Sequence, residues 1–479
     1  MLLSRIAEEL CVPFFGNDVE ICSIEYNSKR VEAGALFGCI VGLVSDGHNF
    51  AKQAVDKGAV ALICERPLNI DVPQLIVSDA RSALAEAAAC FYEHPERSMH
   101  MLAVTGTNGK TSTTYMVKSI AEAAGKKVGL IGTIVNLIGD ERIDTARTTP
   151  ESADLFALLR HMANEGCDLV IMEVSSHALV QDRVHGIMFD AGLFTNLTQD
   201  HLDYHKTFEN YLNAKKLLFR QSKVAIINID DPMAESMKQG LTIPILSMGI
   251  QNSADYRASG IDITTSGVTF HLHTPHGDGR INLHISGLFS VYNAMGAAAL
   301  MDCCGYALKD IIAGLGQLSG VAGRLQSVNT FAHSIAVYVD YAHTPDALEN
   351  VLTTVHGFAK ARVIVVFGCG GDRDKAKRPI MGEIGGRHSD YAIITSDNPR
   401  TEDPMTIISE VEAGVKRTGT PYVVIENRAE AIGHALQVAK ENDIIVIAGK
   451  GHENYQEING VKHHFDDKEV VEELLSKHR

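Results

Sequence analysis

Short apolar runs alternate with amphipathic stretches along most of the chain. Runs such as LFGCI, MLAVTG, DLVIMEV, RVIVVFG and DIIVIAG have the length and β-branched content of buried strands. Helical patterns such as ARSALAEAAACFYEH and TSTTYMVKSIAEAAG stand between them, and Gly125 is placed to end the second of these helices. Strands that alternate with helices predict an α/β fold whose sheets are mostly parallel and covered on both faces.

Breaks in this pattern divide the chain into three segments. We predict domains at residues 1–98, 99–322 and 323–479, separated by the polar stretch HPERSMH and by SGVAGRLQ. The alternation in GVTFHLHT and RINLHIS predicts an antiparallel flank in the second segment. In the third segment, polar residues cluster just after nearly every strand, which is the ligand-binding edge of a Rossmann-like sheet.

Composition and charge narrow the functional classes. The chain has 479 residues and a net charge of −16, which argues against nucleic acid as the main partner. An anionic substrate would therefore need locally placed arginines and lysines. We expect no signal peptide, because a basic segment followed by an apolar core is missing, and no run approaches the roughly 18 to 20 apolar residues of a membrane span. Nine cysteines without CxxC spacing predict free thiols and a cytoplasmic location.

The stretch VTGTNGKTST lies between a predicted strand and a predicted helix. It departs from the strict Walker A spacing, because Val104 stands where the first glycine would be. Gly106 and Gly109 let the backbone curl, the amides at the helix N-terminus face an anion, Lys110 adds positive charge and Thr111 can ligate Mg²⁺. A plain helix-starting turn is the alternative, but the strand–loop–helix context favours a nucleotide phosphate site.

Three further residues are candidates for the same chemistry. Glu173 ends an apolar strand and is placed to bind the magnesium of a nucleotide, although a solvated strand-end acid is the alternative. His201 in TNLTQDHLDYH is either a metal ligand or polar surface. YLNAKKLLF places Lys215 and Lys216 on a helix beginning near Tyr211, and one lysine must point inward. Burying it is costly unless it is paired or modified, and a side chain that snorkels to solvent is the alternative.

The stretch TSDNPRTEDP follows the apolar run YAIIT. Pro399 stiffens the turn after that strand, and Asp403 with Pro404 is placed to open the next helix. Arg400 therefore stands at the carboxyl end of a strand, where doubly wound sheets bind ligands. A guanidinium held by a rigid turn suits a carboxylate or phosphate, while an ordinary loop is the alternative.

Eight motifs stand in one order along the chain: TGTNGKT, EVSSHAL, TNLTQDHLDYH, AKKLLF, DYAHTPDAL, GGDRDKAKRP, DNPR and AGKGHE. Together they resemble the Mur ligase family over essentially the whole chain. The resemblance implies an N-terminal UDP-binding domain, a central ATPase domain and a C-terminal Rossmann-like domain that brings an amino acid. It further implies a monomer that uses ATP and Mg²⁺ to add meso-2,6-diaminopimelate to the D-Glu γ-carboxylate of UDP-MurNAc-L-Ala-D-Glu through an acyl phosphate.

The resemblance also assigns roles to matching positions. It implies ATP binding by Gly106, Thr107, Asn108, Gly109, Lys110, Thr111, Ser112, Asn293, Arg324, Asp340 and His343. It implies metal ligation by Thr111, Glu173, His201 and Lys215, the last as a carbamate (N6-carboxylysine), with Lys110, Lys215 and His201 as catalytic residues. The UDP-muramoyl-dipeptide would contact Tyr26, Ser28, Leu43, Val44, Ser45, Thr148, Thr149, Ser175, Gln181 and Arg183. Diaminopimelate would contact Arg373, Asp397, Asn398, Pro399, Arg400, Gly449 and Glu453.

Two stretches depart from the family pattern, and three rival functions stay open. Asn27-Ser28-Lys29 stands where the family usually has Asp-Ser-Arg, and GRLQ at residues 323–326 stands where it usually has Gly-Arg-Met-Glu. The rivals are a lysine-adding synthetase, a ligase like folylpolyglutamate synthase, and an inactive nucleotide-binding scaffold. Arg400 speaks against the first, DNPR and the N-terminal segment against the second, and the retained catalytic set against the third.

Overall fold

The chain forms two units, and both are built on β-sheets whose strands are largely parallel. The computed structural model describes residues 1–42, 45–145, 147–198, 200–330 and 334–476. Unit 1 comprises Met1–Met248 and Gly296–Ile311, and unit 2 comprises Gly249–Met295 and Ile312–Arg479. Within the described ranges, no helix combines the length and apolar character needed to cross a membrane.

The amino-terminal part of unit 1 carries a four-stranded parallel sheet with the strand order β1-β2-β3-β4. Its strands are β1 Ser23–Glu25, β2 Ala35–Gly38, β3 Ala59–Cys64 and β4 Gln74–Ile76. Its helices are α1 Leu3–Glu9, α2 Ala51–Asp56 and α3 Ala80–Phe91. Asp79 caps α3, since its carboxylate accepts the amides of Arg81 and Ser82.

The rest of unit 1 is built on a second sheet. Its strands are β5 His100–Thr105, β6 Val128–Ile131, β7 Asn136–Ile138, β8 Glu141–Ile143, β9 Leu169–Glu173, β10 Ala191–Phe194, β11 Ala225–Asn228 and β12 Ile245–Gly249. Its helices are α4 Lys110–Ala123, α5 Ser152–Asn164, α6 Ser176–Val180, α7 Leu202–His205, α8 Phe208–Lys216 and α9 Ala234–Lys238. The order is β12-β11-β10-β5-β9-β6-β7-β8, with β7 and β8 antiparallel. Because β5 lies between β9 and β10, the loops after these three strands meet at one edge.

Unit 2 begins with an antiparallel meander, β13 Tyr256–Thr264, β14 Gly267–Thr274 and β15 Gly277–Leu283. The antiparallel flank was expected, but β13 was not. Its pairing with β14 shifts register between Ser259 and Asp262, and Gly260 has a φ of +59°. This irregularity interrupts the apolar–polar alternation that marks a strand. Helices α10 Leu288–Cys303 and α11 Leu308–Gln317 follow, and the division between the units falls inside each.

A six-stranded sheet forms the centre of unit 2, in the order β16-β17-β21-β18-β19-β20. Its strands are β16 Gln326–Val328, β17 Ala336–Asp340, β18 Val363–Phe367, β19 Tyr391–Ile394, β20 Tyr422–Val424 and β21 Ile444–Ala448. Its helices are α12 Pro345–His356, α13 Lys377–Arg387, α14 Pro404–Val415, α15 Arg428–Val438 and α16 Asp467–Ser476. Only the β16–β17 pair is antiparallel. Val365 packs into one core and Ile364 into another, so both faces are covered as predicted.

One helix boundary and one hairpin differ from the sequence-based expectation. Helix α8 begins at Phe208 rather than near Tyr211, because the Thr207 side chain accepts the amide of Asn210 and caps the helix earlier. A hairpin of β22 Tyr455–Ile458 and β23 Val461–His464 was not predicted. Strand β23 is exposed throughout and so lacks apolar alternation, although the Asn459-Gly460 turn is a hairpin signal.

A fully buried ion pair joins two helices of unit 2. Arg428 opens α15 and Asp467 opens α16, and neither side chain is exposed. Arg428 Nε donates to Asp467 Oδ1 at 2.7 Å and Nη2 donates to Oδ2 at 2.8 Å. The Nη2 group also donates to the carbonyl of Ala448, the last residue of β21. The pair therefore ties both helix starts to the carboxyl edge of the sheet.

We expect Asp467→Asn to destabilise unit 2 by about 3–5 kcal/mol, because it leaves the Arg428 charge buried without a counter-charge. Hydrogen exchange of β18 and β21 in the full chain measures this loss. Glu472→Gln is the matched control, since it removes an acid of the same helix whose pair with Lys468 is exposed, and it should change stability by less than about 0.5 kcal/mol. Equal effects of the two substitutions would contradict the expectation.

Candidate functional site

The loop between β5 and α4 is shaped by a close approach that only glycine permits. Gly106 has a φ of +154°, and a Cβ there would lie 1.8 Å from Thr195 Oγ1. That hydroxyl donates to the carbonyl of Asn108 at 2.7 Å. Lys110 Nζ donates to the carbonyls of Gly106 at 2.8 Å and Thr107 at 2.9 Å. The loop therefore holds its ammonium group over its own curled backbone, in the arrangement expected of a phosphate site.

Side chains from the neighbouring strand and helix brace this loop. Asn196 follows β10, and its Oδ1 accepts the Asn108 amide at 2.9 Å while its Nδ2 donates to the Asn108 carbonyl at 3.1 Å. The Tyr211 hydroxyl lies 3.2 Å from Thr107 Oγ1. No role for Tyr211 was predicted from the sequence. The sequence signal that could have assigned Asn196 to this site is its position just after β10, the strand that pairs with β5.

Lys215 is the inward lysine of α8. Its side chain is 1% exposed, and Nζ lies 4.5 Å from the ring centroid of Tyr211. Among the described residues, Nζ has no hydrogen-bond partner. Burial lowers the pKa of Lys215 well below its ordinary value, and the nearby charge of Lys110 lowers it further, while Asp200 acts in the opposite direction. By contrast, Lys216 donates to the carbonyls of Ser236 and Gln239.

Glu173 lies buried at the end of β9 and is oriented by Thr133. The amide of Thr133 donates to Oε1 and its hydroxyl donates to Oε2, both at 2.9 Å. The Thr133 hydroxyl is also 3.1 Å from that of Thr148, and Thr149 Oγ1 donates to the Glu173 carbonyl at 2.8 Å. Ser175 donates its amide to the same Thr149 hydroxyl. The structure thus gathers Glu173 with three residues predicted to contact the dipeptide.

His201 directly precedes the short helix α7 as its N-cap residue and has a left-handed φ of +54°. Its Nε2 lies 3.3 Å from Asp200 Oδ2, and its ring centroid lies 4.9 Å from that of His177. Thr111 and Ser112 are buried in the first turn of α4. Across the described ranges, no three His, Cys, Asp or Glu side chains form a ready metal site. The predicted Mg²⁺ ligands Thr111, Glu173 and His201 come from three separate elements. Their role in metal binding stays a prediction.

A cleft of about 510 Å³ in unit 1 gathers residues that are far apart in the sequence. It is lined by Tyr26, Ser28, Ser45, Gln181 and Arg183 of the predicted UDP-muramoyl set. Leu43 and Val44 of that set lie outside the described residues. Arg183 Nη2 donates to Gln181 Oε1 at 2.6 Å and Nη1 donates to the Thr149 carbonyl at 3.0 Å. These contacts connect the cleft to the residues around Glu173.

Three arginines of this cleft converge on one carboxylate. Arg183 Nε lies 3.1 Å and Arg81 Nη1 lies 3.5 Å from the buried carboxylate of Glu151, and Arg147 is paired with it as well. Three positive charges against one negative charge leave the cleft suited to a polyanion. Arg81 and Arg147 were not predicted as site residues. Arg147 directly precedes Thr148, whereas nothing in the sequence links Arg81 to the others.

In unit 2, the loop after β19 holds Arg400 in an unusual conformation. Arg400 has a left-handed φ of +51°, and its Nη1 donates to the Gly371 carbonyl at 2.6 Å. Its Nε lies 3.4 Å from Glu457 Oε2. A Cβ at Gly371 would lie 1.9 Å from the Pro399 carbonyl, so this loop contact requires glycine. Arg373, on the same glycine-rich loop, has no ion-pair partner in the part of the chain that the structure describes.

A buried polar network lies beside Arg400. Asn398 Oδ1 accepts Lys450 Nζ at 3.0 Å, and Asn398 Nδ2 donates to Glu453 Oε2 at 2.8 Å. Lys450 is fully buried, 3.8 Å from Asp397 and 3.6 Å from Glu453. Burial raises the pKa of Glu453 and lowers that of Lys450. A Cβ at Gly449 would lie 2.5 Å from Asp397 Oδ2. Lys450 was missed, although it lies inside the motif AGKGHE.

Three predicted nucleotide contacts of unit 2, Arg324, Asp340 and His343, lie close together around Tyr341. The Arg324 guanidinium lies 5.3 Å from the ring centroid of Tyr341, and the His343 ring lies 4.5 Å from the same ring. The Asp340 carboxylate accepts two backbone amides, and burial raises its pKa. Asn293 is buried, and its Nδ2 has no hydrogen-bond partner within the described residues.

Comparison with known families gives three successive matches. Residues 20–104 match the model "Mur ligase family, catalytic domain", residues 104–301 match "Mur ligase middle domain", and residues 323–451 match "Mur ligase, glutamate ligase domain". These matches confirm the three-domain α/β organisation. The boundaries after residues 98 and 322 stay predictions.

Individual relatives agree over nearly the whole length. The UDP-N-acetylmuramoyl-L-alanyl-D-glutamate–2,6-diaminopimelate ligase of Geobacillus thermodenitrificans is 47% identical over 473 residues, covering 97% of this chain and 96% of that protein. The ligase of the same name from Clostridium botulinum is 46% identical and covers 96% of each chain. A solved structure of a ligase with this name is 33% identical, has a TM-score of 0.74 and covers all of both chains.

We expect Lys215→Met to raise the free energy of unfolding of unit 1 by about 1–3 kcal/mol, because it replaces a buried, unpaired amine with an apolar side chain of similar length. Hydrogen exchange of α8 in bicarbonate-free buffer measures the gain. Lys216→Met is the matched control and should bring no gain, since it removes two hydrogen bonds to carbonyls.

The same lysine should also make stability depend on pH. The unfolded chain keeps the Lys215 proton up to about pH 10.5, whereas the folded chain loses it at lower pH. The unfolded state therefore binds more protons in this window, so wild-type stability should rise with pH. Lys215→Met should lack this rise, and an unchanged slope would contradict the assignment.

Proposed function

Because the chain belongs to the Mur ligase family, we propose that it is the ligase that adds meso-2,6-diaminopimelate to the D-Glu γ-carboxylate of UDP-MurNAc-L-Ala-D-Glu at the expense of ATP. The names of its full-length relatives support this function. The observation that supports diaminopimelate as the amino acid added is the rigid placement of Arg400 beside the hydrogen-bonded pair of Asn398 and Glu453.

The chemistry of the amino acid explains this emphasis on Arg400. Diaminopimelate differs from lysine by a second carboxylate on the far carbon. Arg400 offers a guanidinium to that carboxylate, and Glu453 offers a carboxylate to the neighbouring ammonium. The Arg373 guanidinium adds positive charge on the adjoining loop. A site built for a charged group rejects the analogue that lacks it, because its own buried groups are then left unpaired.

The cleft of unit 1 suits the other substrate. UDP-MurNAc-L-Ala-D-Glu carries a diphosphate and carboxylates, and the surplus positive charge of Arg81, Arg147 and Arg183 around Glu151 favours such a polyanion. Tyr26 and Ser28 line the same cleft and supply hydroxyl groups. An acidic chain can bind an anionic substrate only where arginines or lysines are concentrated locally, and this cleft has such a concentration.

The reaction proceeds in two displacements. The γ-carboxylate oxygen of D-Glu attacks the γ-phosphorus of ATP, the bond from that phosphorus to the bridging oxygen breaks, and ADP leaves. The amine of diaminopimelate then attacks the acyl carbon. The bond from that carbon to the oxygen shared with phosphorus breaks, phosphate leaves with that oxygen, and the nitrogen loses a proton to water. Lys110 and the loop amides stabilise the charge that develops on the transferred phosphoryl group.

The metal-binding residues would be Thr111, Glu173, His201 and Lys215. Hydroxyl and carboxylate oxygens suit Mg²⁺, which would neutralise phosphate charge when bound. The donor set fits this ion better if Lys215 is a carbamate. Its buried amine, which has a lowered pKa, can attack CO₂ and lose a proton to become an anion. That modification would turn an unpaired buried group into an oxygen ligand.

The rival functions account for fewer of the features of this chain. A lysine-adding enzyme has no use for Arg400 in this setting, and a ligase like folylpolyglutamate synthase needs neither DNPR nor the matched segment at residues 20–104. A scaffold without catalysis would gain stability by replacing Lys215 with an apolar residue. Phosphate release that requires both the UDP-muramoyl-dipeptide and an amino acid separates an active ligase from a scaffold.

The central test is phosphate release with ATP, the UDP-muramoyl-dipeptide and a panel of amino acids. We expect wild type to prefer diaminopimelate over lysine by roughly a thousandfold or more. Arg400→Ala should raise the diaminopimelate KM by about tenfold or more and leave the ATP KM nearly unchanged. It should also reduce the preference for diaminopimelate over lysine. Arg417→Ala, which removes an exposed arginine of unit 2, is the control. Equal use of lysine by wild type would overturn the proposed specificity.

Lys215→Ala should lower ligation by on the order of a hundredfold or more, since it removes the anionic ligand. Acetate or bicarbonate should partly restore the rate by standing in for the lost carboxylate. Lys216→Ala is the matched control and should keep most of the activity. Full activity of the unrescued Lys215→Ala variant would rule out the role of Lys215.

A further inference from the structure

The β22–β23 hairpin holds the loop that carries Arg400. The amide of Arg400 donates to the Glu457 carbonyl at 3.0 Å, and the Asn459 amide donates to the Arg400 carbonyl at 2.6 Å. The Glu457 amide donates to Asn398 Oδ1 at 2.9 Å. These three bonds to β22 and its turn fix the backbone of Glu457 beside Arg400, whatever side chain residue 457 carries.

The Glu457 side chain adds an interaction of a different kind. Its Oε2 lies 3.4 Å from Arg400 Nε, with 26% of the Glu457 side chain and 22% of the Arg400 side chain exposed. This contact is an ion pair without hydrogen-bond geometry. Within the described residues, Arg400 is the only ion-pair partner of Glu457. The Arg400 side chain otherwise hydrogen-bonds only to an uncharged group there, the backbone carbonyl of Gly371.

We propose that Glu457 is a specificity-determining residue that occupies Arg400 as a surrogate carboxylate while the amino-acid pocket is empty. This inference rests on the proposed function, because it assumes that Arg400 receives the far carboxylate of diaminopimelate. An incoming carboxylate must either displace the Glu457 carboxylate or bind beside it against repulsion. Both routes weaken binding of the diacid, whereas a ligand without the second carboxylate does not meet this competition.

The alternative role of a brace is disfavoured by the contacts. A brace would orient the guanidinium through short, directional hydrogen bonds, as the Gly371 carbonyl does at 2.6 Å. The position of the loop depends on backbone bonds that a change of the Glu457 side chain leaves in place. The two roles predict opposite results. Removing a brace raises the diaminopimelate KM, whereas removing a competitor lowers it.

Glu457→Gln tests the inference, because it keeps the size of the side chain and removes only its charge. We expect the diaminopimelate KM to fall about two- to fivefold, in line with the strength of a partly exposed ion pair. The KM values for lysine and ATP should not fall. Glu441→Gln is the matched control, since Glu441 is exposed and lies before the amino end of β21, at the opposite edge of the sheet.

A double variant tests whether Glu457 acts through Arg400. In an Arg400→Ala background, Glu457→Gln should no longer lower the diaminopimelate KM. High salt should also shrink the effect of the single substitution, because the pair is partly exposed. A raised or unchanged KM in Glu457→Gln would overturn the inference, as would an effect that persists without Arg400.

The design separates this inference from the proposed function. If wild type does not ligate diaminopimelate, the proposed function itself fails. If wild type ligates diaminopimelate and Arg400→Ala raises its KM, but Glu457→Gln does not lower it, only the inference about Glu457 fails.

Discussion

A charged side chain removed from water must find an opposite charge or a full set of hydrogen bonds, and this requirement organises both units of the chain. Arg428 and Asp467 meet it as a pair of opposite charges, with two short hydrogen bonds between fully buried groups. Lys450 meets it through Asn398, Asp397 and Glu453. Lys215 does not meet it, and this exception marks the place where added chemistry is expected.

Close contact between loops is the second requirement of these sites. Parallel strands deliver their loops to one sheet edge, so neighbouring loops must pass within hydrogen-bond distance of each other. At Gly106 and Gly371 a side chain would collide with Thr195 Oγ1 or with the Pro399 carbonyl. The same loop packing keeps Lys110 and Arg400 in place. The positions of these two charges therefore depend on the glycines that allow the loops to approach.

Local charge in the unit 1 cleft runs opposite to the charge of the whole chain. The net charge is −16, yet Arg81, Arg147 and Arg183 surround a single carboxylate in that cleft. In the proposed amino-acid pocket, the charge of Arg400 is partly neutralised by the carboxylate of Glu457. The first arrangement suits a polyanion, and we propose that the second sets how strongly one further carboxylate is held.

The sequence by itself determined the elements and motifs whose signals are local. Buried strands, the glycine loop between β5 and α4, the Asp403 cap and the turn before Arg400 all follow from residues close to one another in the chain, and the structure has them where they were predicted. An inward lysine in AKKLLF also follows from helical periodicity. Strands β13 and β23 escaped prediction, because a bulge or full exposure removes the alternation on which such predictions depend.

Only the tertiary structure decided which distant charges meet. The convergence of Arg81, Arg147 and Arg183 on Glu151 depends on how two separate sheets of unit 1 pack, and no local pattern encodes that. The pairing of Glu457 with Arg400 depends on where an exposed hairpin lies against a loop more than fifty residues earlier. Electrostatic interactions act through space, whereas sequence patterns report only what is near along the chain.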